Sequence, residues 1–182
     1  MYRIYKSIDI DFAHHVRGHQ GACINIHGHT WKFEVGLEAS ELDPQGFVVD
    51  FGKLKSDVLN PCHAFLDHSF AIGAATYEDL KGNLEPVGVA LLSSRETPDP
   101  NHEKKCPPLQ LNGAEAHYPG GMKVAVFPFS PTSERIAKWL YELAVEKLED
   151  GRVRVAFARI YETLHPVEAV AEFIPAPPIR AL

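Results

Sequence analysis

Ten histidines punctuate the 182 residues of this chain, and His14, His15, His27 and His29 fall in or beside its first two strand-like segments. In His27-Gly28-His29 two imidazoles stand at i and i+2. An extended backbone sends such side chains to the same side, as two ligands of one metal require. The glycine between them lets the backbone approach closely. A third imidazole would complete a set that leaves one tetrahedral position open, the pattern of catalytic rather than structural zinc. The plain alternative for an isolated His-X-His is an exposed turn. Cys23, four residues before His27, changes the balance, because a thiolate beside a dication has a lowered pKa and can act as base or nucleophile. The same thiol could instead be a fourth ligand that closes the site, or an inert buried cysteine.

Two carboxylates extend the set. Asp67-His68 follows the apolar Phe65-Leu66. A carboxylate can orient an imidazole and raise its basicity, and the imidazole can then shuttle protons near neutral pH. Adjacent residues of a regular strand face opposite ways, so this pair needs a turn; otherwise it is a solvated dipeptide. Glu162 ends the alternating segment through Val155, Phe157 and Tyr161. Facing a pocket, its carboxylate could accept two hydrogen bonds from an amidine-like N–H pair such as that of a pterin ring.

The elements that must position these groups follow from periodicity. Tyr2 to Phe12 alternates, with Ile4, Ile8, Ile10 and Phe12 on one parity, and Thr30 to Leu37 does the same through Trp31, Phe33, Val35 and Leu37. Both read as half-buried strands. Asp50 can cap a helix through Leu54 and Val58 that ends before Pro61. A longer helix runs from Pro131 to about Leu148, capped by Ser130, with Ile136, Trp139, Leu140, Leu143 and Val145 as its apolar face and Gly151 beyond its end. Strands Val153 to Glu162 and Val167 to Phe173 follow. The core order is ββααββ. Residues 70–121 stand outside it: the apolar run Val87 to Leu92 reads as a strand, Arg95 to Pro108 as a surface loop, and Met122 to Phe129 as a strand back to the core.

Composition is that of an ordinary soluble domain. A net charge of −6 with no block of Lys or Arg gives no reason to expect a nucleic-acid or membrane partner. The first fifteen residues lack the apolar stretch of a signal peptide, and Cys23, Cys62 and Cys106 have no framework spacing. Both features point to the cytoplasm and to free thiols.

Taken together the motifs resemble the 6-pyruvoyltetrahydropterin synthase / 6-carboxytetrahydropterin synthase family. The run YKSIDIDFAHHV is similar to its first strand, C-I-N-I-H-G-H to its cysteine and histidine pair, and G-F-V-V-D-F-G-K-L-K, L-D-H, P-T-S-E and Y-E-T recur in the same order. The resemblance implies one α+β domain over 1–182 with the tunnelling fold (T-fold), a four-stranded antiparallel sheet with two helices on one face. Residues 70–121 would be a family-atypical insertion able to reshape the pocket. It further implies Zn²⁺ on His14, His27 and His29, with His14 preferred to His15. Cys23 would be the general base, Asp67 and His68 its relay, and Glu162 the pterin anchor, assisted by Thr132. The substrate implied is 7,8-dihydroneopterin triphosphate and the assembly a homo-hexamer of two trimers. The Cys-x3-His-Gly-His spacing looks more like the branch that makes 6-carboxy-5,6,7,8-tetrahydropterin for queuosine than the one that makes 6-pyruvoyltetrahydropterin for tetrahydrobiopterin. A non-catalytic zinc or pterin binder is the alternative from another class. Arg17, His15 and His19 are candidates for holding phosphates.

Overall fold

The structure, a computed structural model, describes residues 1–93, 109–163 and 168–176, with backbone alone over 85–93. Along the chain come β1 (Tyr2–His14), β2 (His27–Ala39), α1 (Phe51–Leu54), a π-helical stretch (Lys55–Leu59) and α2 (Asn60–Leu66). There follow β3 (Phe70–Gly73), α3 (Ala74–Ser93), β4 (Gln110–Leu111), β5 (Ala114–His117), β6 (Val124–Phe127), α4 (Ser133–Leu148), β7 (Val153–Thr163) and β8 (Ala169–Phe173). No helix among the described residues is long and apolar enough to cross a membrane.

β1 and β2 pair antiparallel over their whole lengths, from Tyr2 opposite Ala39 to His14 opposite His27. β7 lies on the other side of β2, and β8 beyond it, both antiparallel. These four strands are the expected T-fold sheet. Ile10, Phe12, Trp31, Phe33, Val35, Leu37, Val155 and Ile160 form its buried face, covered by Leu54, Val58, Leu59, Phe65 and Leu66 of the first helical segment and by Ile136, Trp139, Leu140 and Leu143 of α4. At about 25 cal/mol per Å² this burial is the main term holding the domain together.

The sheet does not stop at four strands. Its order is β4-β5-β6-β3-β1-β2-β7-β8, and β3 lies parallel both to the end of β1 and to β6. Ala71, Ala125 and Phe127 point into the main core, whereas Phe70, Ile72, Val124 and Val126 make a second cluster with Tyr77 and Leu84 of α3. Helices therefore cover both faces of this extension, as buried parallel strands require.

Three local expectations are corrected. Val87 to Leu92 belongs to α3, not to a strand; a short apolar run does not distinguish the two by itself, and Pro86 and Gly88 disfavour a helix by propensity. The first helical segment does not end before Pro61. The Asn60 N–H reaches back to the Lys55 carbonyl, and Pro61 enters the first turn of α2, where a missing N–H is tolerated. Thr132, not Ser130, caps α4, its hydroxyl accepting from the Arg135 N–H at 3.4 Å. Arg95 to Pro108 lies outside the described residues, as does the stretch 164–167.

The face of the four strands away from the helices is polar. Glu38 on β2 accepts from Arg3 on β1 (2.8 Å) and from Arg154 on β7, and Glu34 accepts from Arg159 (3.0 Å) and Tyr161 (3.2 Å). The Arg154 hydrogen bond, then that of Arg3, holds the Glu38 carboxyl below its ordinary value of 4.5, against burial. A carboxyl lowered in the folded state stabilises above its unfolded value and loses that contribution as pH falls through the folded one. We expect Glu38→Gln to lower stability by about 1–2 kcal/mol at pH 7. In urea titrations the gap to the wild type should shrink below pH 4.5; a gap independent of pH would contradict this account.

Candidate metal centre and active site

The β1–β2 register brings His14 and His27 face to face at the mouth of the 15–26 loop, and the alternation of β2 adds His29 on the same side. His14 is 1% exposed. Its Nδ1 lies 3.0 Å from the Pro131 carbonyl, and His27 Nδ1 lies 2.8 Å from the Asn25 carbonyl. A carbonyl only accepts, so each Nδ1 carries the proton and each Nε2 presents a lone pair. Those two Nε2 atoms stand 3.0 Å apart. His29 Nε2 is buried with no hydrogen-bond partner.

Glu162 completes the group. Its Oε1 lies 3.3 Å from His14 Nε2 and 3.8 Å from His29 Nε2, and its Oε2 accepts from the Ser133 hydroxyl at 2.6 Å. One donor atom from each of the four side chains lies within 4.8 Å of the others. Donors about 2.0–2.1 Å from one tetrahedral ion lie roughly 3.3 Å apart. Converging imidazole lone pairs, a buried partnerless nitrogen and a carboxylate fit a divalent cation and lack a satisfactory arrangement without one. A proton at His14 Nε2, in the place a bound cation would take, holds the Glu162 carboxyl down to about 2, with burial opposing and Ser133 assisting. Burial lowers His29, with His14 and His27 adding to it and Glu162 opposing. Both ionisation states are those a metal ligand needs.

Trp31, next on the same face of β2, forms the floor. It stands edge-on to His14 at 4.8 Å and to His29 at 5.4 Å, stacks on Phe12 at 4.6 Å, and donates Nε1 to the Phe12 carbonyl at 3.2 Å. Gly28 contributes less than its type implied. A Cβ there would meet the Phe12 carbonyl at 3.5 Å, an ordinary contact, so nothing in the chain itself demands glycine.

His15 turns away from the cluster. Its Nδ1 meets the Ile24 carbonyl at 2.8 Å and its Nε2 the Thr76 hydroxyl at 3.3 Å. Cys23 lies half-buried in a 3-10 turn, Ala22–Ile24, and is not among the four clustered ligands. Asp67 and His68 sit at the free edge of β1: the His68 N–H donates to the Asp11 carbonyl at 2.7 Å, and Asp67 Oδ1 accepts from the Asp11 N–H at 3.4 Å. His68 Nδ1 lies 2.8 Å from Asp67 Oδ2. Burial raises the Asp67 carboxyl, but the bonds from His68 and Asp11 outweigh it and leave it lowered. His68 adopts φ of 55°, rare for a residue with a Cβ, and its side chain is 81% exposed. This is the turn that the dipeptide needed. A cavity of about 420 Å³ lined by Tyr2, Ile4, Phe47 and Phe51 lies at the other end of β1 and takes no part in this chemistry.

The family model of 6-pyruvoyl tetrahydropterin synthase matches residues 3–172. The chain belongs to the 6-pyruvoyl tetrahydropterin synthase family. Membership places it among lyase-type pterin enzymes with the T-fold. A 6-carboxy-5,6,7,8-tetrahydropterin synthase of Aquifex aeolicus is 28% identical over 145 residues, 78% of this chain and 70% of that one. One of Haemophilus influenzae is 39% identical over 74 residues, 38% of this chain and 52% of that one, so the match spans about half of that relative. Among solved structures, the uncharacterized protein WS1659 of Wolinella succinogenes is 26% identical with a TM-score of 0.68, covering 96% of this chain and 98% of its own. Solved 6-pyruvoyltetrahydropterin synthases share the fold at lower identity.

Sequence reasoning missed Ser133, Trp31 and the carbonyls of Pro131 and Asn25. Only Trp31 had a signal, its parity with His27 and His29. Carbonyl partners carry no residue signature. The geometry predicts that His14→Ala, His27→Ala and His29→Ala each drop bound divalent metal far below one per chain, measured by elemental analysis after dialysis. His15→Ala should retain it. Metal loss on His15→Ala with retention on His14→Ala would reverse the assignment.

Proposed function

We propose that this chain is a zinc-dependent lyase that converts 7,8-dihydroneopterin triphosphate into 6-carboxy-5,6,7,8-tetrahydropterin, releasing triphosphate and acetaldehyde, in cytoplasmic queuosine and 7-deazaguanine biosynthesis. The observation that carries the reading is the cluster of His14, His27, His29 and Glu162, one donor atom of each within 4.8 Å of the others and His29 Nε2 partnerless, in a chain of this family. The name shared by the Aquifex and Haemophilus relatives supports the carboxy branch.

His14, His27 and His29 would hold the ion. Bound zinc supplies a Lewis acid that acidifies the side-chain hydroxyls of the substrate. Cys23 takes a proton from the carbon side chain as thiolate, and the Asp67-His68 pair passes protons. Glu162, ionised at neutral pH and fixed through its Oε2 by Ser133, is acceptor-only, as recognition of a pterin N–H pair requires.

The same reading makes the protein a hexamer of two trimers, with sites shared between copies. Among the described residues, only Ala13 and His14 of β1 pair with β3 and Asp11 is bonded by Asp67 and His68, so the outer edge of β1 from Tyr2 to Asp9 is the part left for a neighbouring strand. Tyr2, Tyr5, Phe47, Phe51 and Val170 are exposed apolar side chains. The Asp67-His68 pair on that edge is bonded to Asp11, whose side chain lies on the opposite face of β1 from His14. On this reading a neighbouring copy supplies the relay for each thiol.

Incubating zinc-loaded protein with 7,8-dihydroneopterin triphosphate should yield acetaldehyde and the 6-carboxy product. Formation of 6-pyruvoyltetrahydropterin without acetaldehyde would select the other branch, and zinc without turnover a binding protein. Cys23→Ala should keep its metal and lose at least about a hundredfold in kcat. Loss of metal from that variant would make Cys23 a ligand. Mixing inactive Cys23→Ala with inactive His68→Ala protein and reassembling them should recover part of the activity; a fully active monomer would refute the shared site.

A further inference from the structure

We propose that the first turns of α3 are a positioning element for the reactive thiol, clamping the loop that carries Cys23 through His15 and Arg17. The inference rests on the reading of Cys23 as the group that takes the proton, and it assigns a role to a helix in the 70–121 segment.

The loop between β1 and β2 has little to hold it. None of the described side chains from His15 to Ile26 is buried, so no apolar anchor fixes its course. Its internal bonds are local ones that shape its turns: the Val16 N–H donates to the Cys23 carbonyl at 2.9 Å, the His19 N–H to the Val16 carbonyl at 3.3 Å, the Ile24 N–H to the Gly21 carbonyl at 3.3 Å, the Asn25 N–H to the Ala22 carbonyl at 3.0 Å and the Gly21 N–H to His19 Nδ1 at 2.9 Å. Where burial is missing, polar ties to rigid elements decide how far a segment opens.

Two such ties run to α3. His15 Nδ1 faces the Ile24 carbonyl and so carries a proton, and its Nε2 shares a hydrogen bond with the Thr76 hydroxyl. With both ring nitrogens partnered, the ring bridges the residue after Cys23 to the helix. Thr76 is 4% exposed, and its hydroxyl has little recourse to water. Arg17 supplies the second tie, donating to the Ala75 carbonyl at 3.3 Å and to the Asp79 carboxylate. A third, from the Arg17 N–H to the Ser130 hydroxyl at 3.1 Å, fixes the loop to the segment whose Pro131 carbonyl orients His14. The Cys23 turn, the first metal ligand and α3 are thus linked through a few hydrogen bonds. Both ring nitrogens of His15 and Nη1 of Arg17 have protein partners here.

α3 is itself rigidly seated. Tyr77 and Leu84 pack on Phe70, Ile72, Val124 and Val126, and β3 hydrogen-bonds to the end of β1 at Ala13 and His14. The clamp therefore references the thiol to the same strand end that carries the ligand. Thr76 and Asp79 are positioning residues in this account; neither is assigned contact with substrate.

The test uses the full-length, zinc-loaded protein with Thr76→Val, Thr76→Ser, Asp79→Asn and the double variant Thr76→Val/Asp79→Asn. Alkylation of Cys23 by iodoacetamide is followed at its own peptide by mass spectrometry, with amide exchange over residues 15–24 and bound metal measured in parallel. Thr76→Val should leave the metal in place, raise exchange in the loop and change the Cys23 alkylation rate by roughly threefold to tenfold, the factor that one lost neutral hydrogen bond brings to a local equilibrium. kcat should fall by a similar factor with KM nearly constant. Thr76→Ser should behave as wild type, because it keeps the hydroxyl. Asp79→Asn, an exposed change that leaves the core alone, should give a smaller shift in the same direction. A folded, metal-replete double variant with wild-type alkylation and loop exchange would overturn the proposal. Alkylation does not depend on turnover, so a wild-type protein without lyase activity would defeat the functional reading while leaving the clamp to be judged on its own data.

Discussion

The pairing of β1 with β2 is the constraint on which everything else in this molecule depends. Strand side chains alternate, so a slip of one residue would move His14, Phe12 and Ile10 to the polar face together with their partners on β2. In the observed register His14 faces His27 across the strands, and His29 and Trp31 follow on the same face. The apolar run beneath them, Ile10, Phe12, Phe33, Val35 and Leu37, locks that register through burial that any slip would forfeit. The histidine cluster is thus placed by a hydrophobic pattern that has no chemistry of its own.

Bringing the imidazoles together is unfavourable in itself. Lone pairs on His14 and His27 face each other at 3.0 Å, and a buried nitrogen on His29 lacks a partner. The fold tolerates this because the rest of each ring is satisfied: Nδ1 atoms by the carbonyls of Pro131 and Asn25, ring faces by Trp31. Such second contacts set the tautomer and the direction of the free nitrogen, and a cation that binds only the folded arrangement adds its binding energy to stability.

The two faces of the four-stranded sheet divide the labour. One carries the core and, at its end, the ligands. The other carries ion pairs from Arg3 through Glu38 to Arg154 and from Glu34 through Arg159 to Glu172, which tie all four strands, with the Phe157 ring laid against Gly36 beneath the Arg159 guanidinium. The extension through β3 and β6 is different again, with apolar side chains on both faces and α3 on the side opposite the main helices. It shields the end of β1 and brings Thr76 and Asp79 to the loop that bears Cys23.

Much of this was written in the residues themselves. Alternation in Tyr2 to Phe12 and Thr30 to Leu37, the apolar stripe of Ile136, Trp139, Leu140 and Leu143, and the His-Gly-His spacing are local patterns, and local patterns survive without a structure because strand and helix periods act on neighbours in sequence. They were enough for the strands, the longer helix and the pairing of His27 with His29; the four-stranded sheet and His14 as third member came from the resemblance to the family. What they could not contain is anything settled between segments distant along the chain. The Pro131 carbonyl on His14, the Ser133 hydroxyl on Glu162 and the approach of Glu162 to the histidines join residues more than a hundred or some thirty positions apart, and the carbonyl leaves no mark in residue type. The choice between His14 and His15 was also tertiary, since adjacent residues in a strand end differ only in which face they meet. Burial and the Pro131 carbonyl turned one toward the metal centre, and Ile24 and Thr76 turned the other away. The helix through Val87 to Leu92, contrary to its propensity, continues from earlier turns that Tyr77 and Leu84 seat on the apolar side chains of β3 and β6.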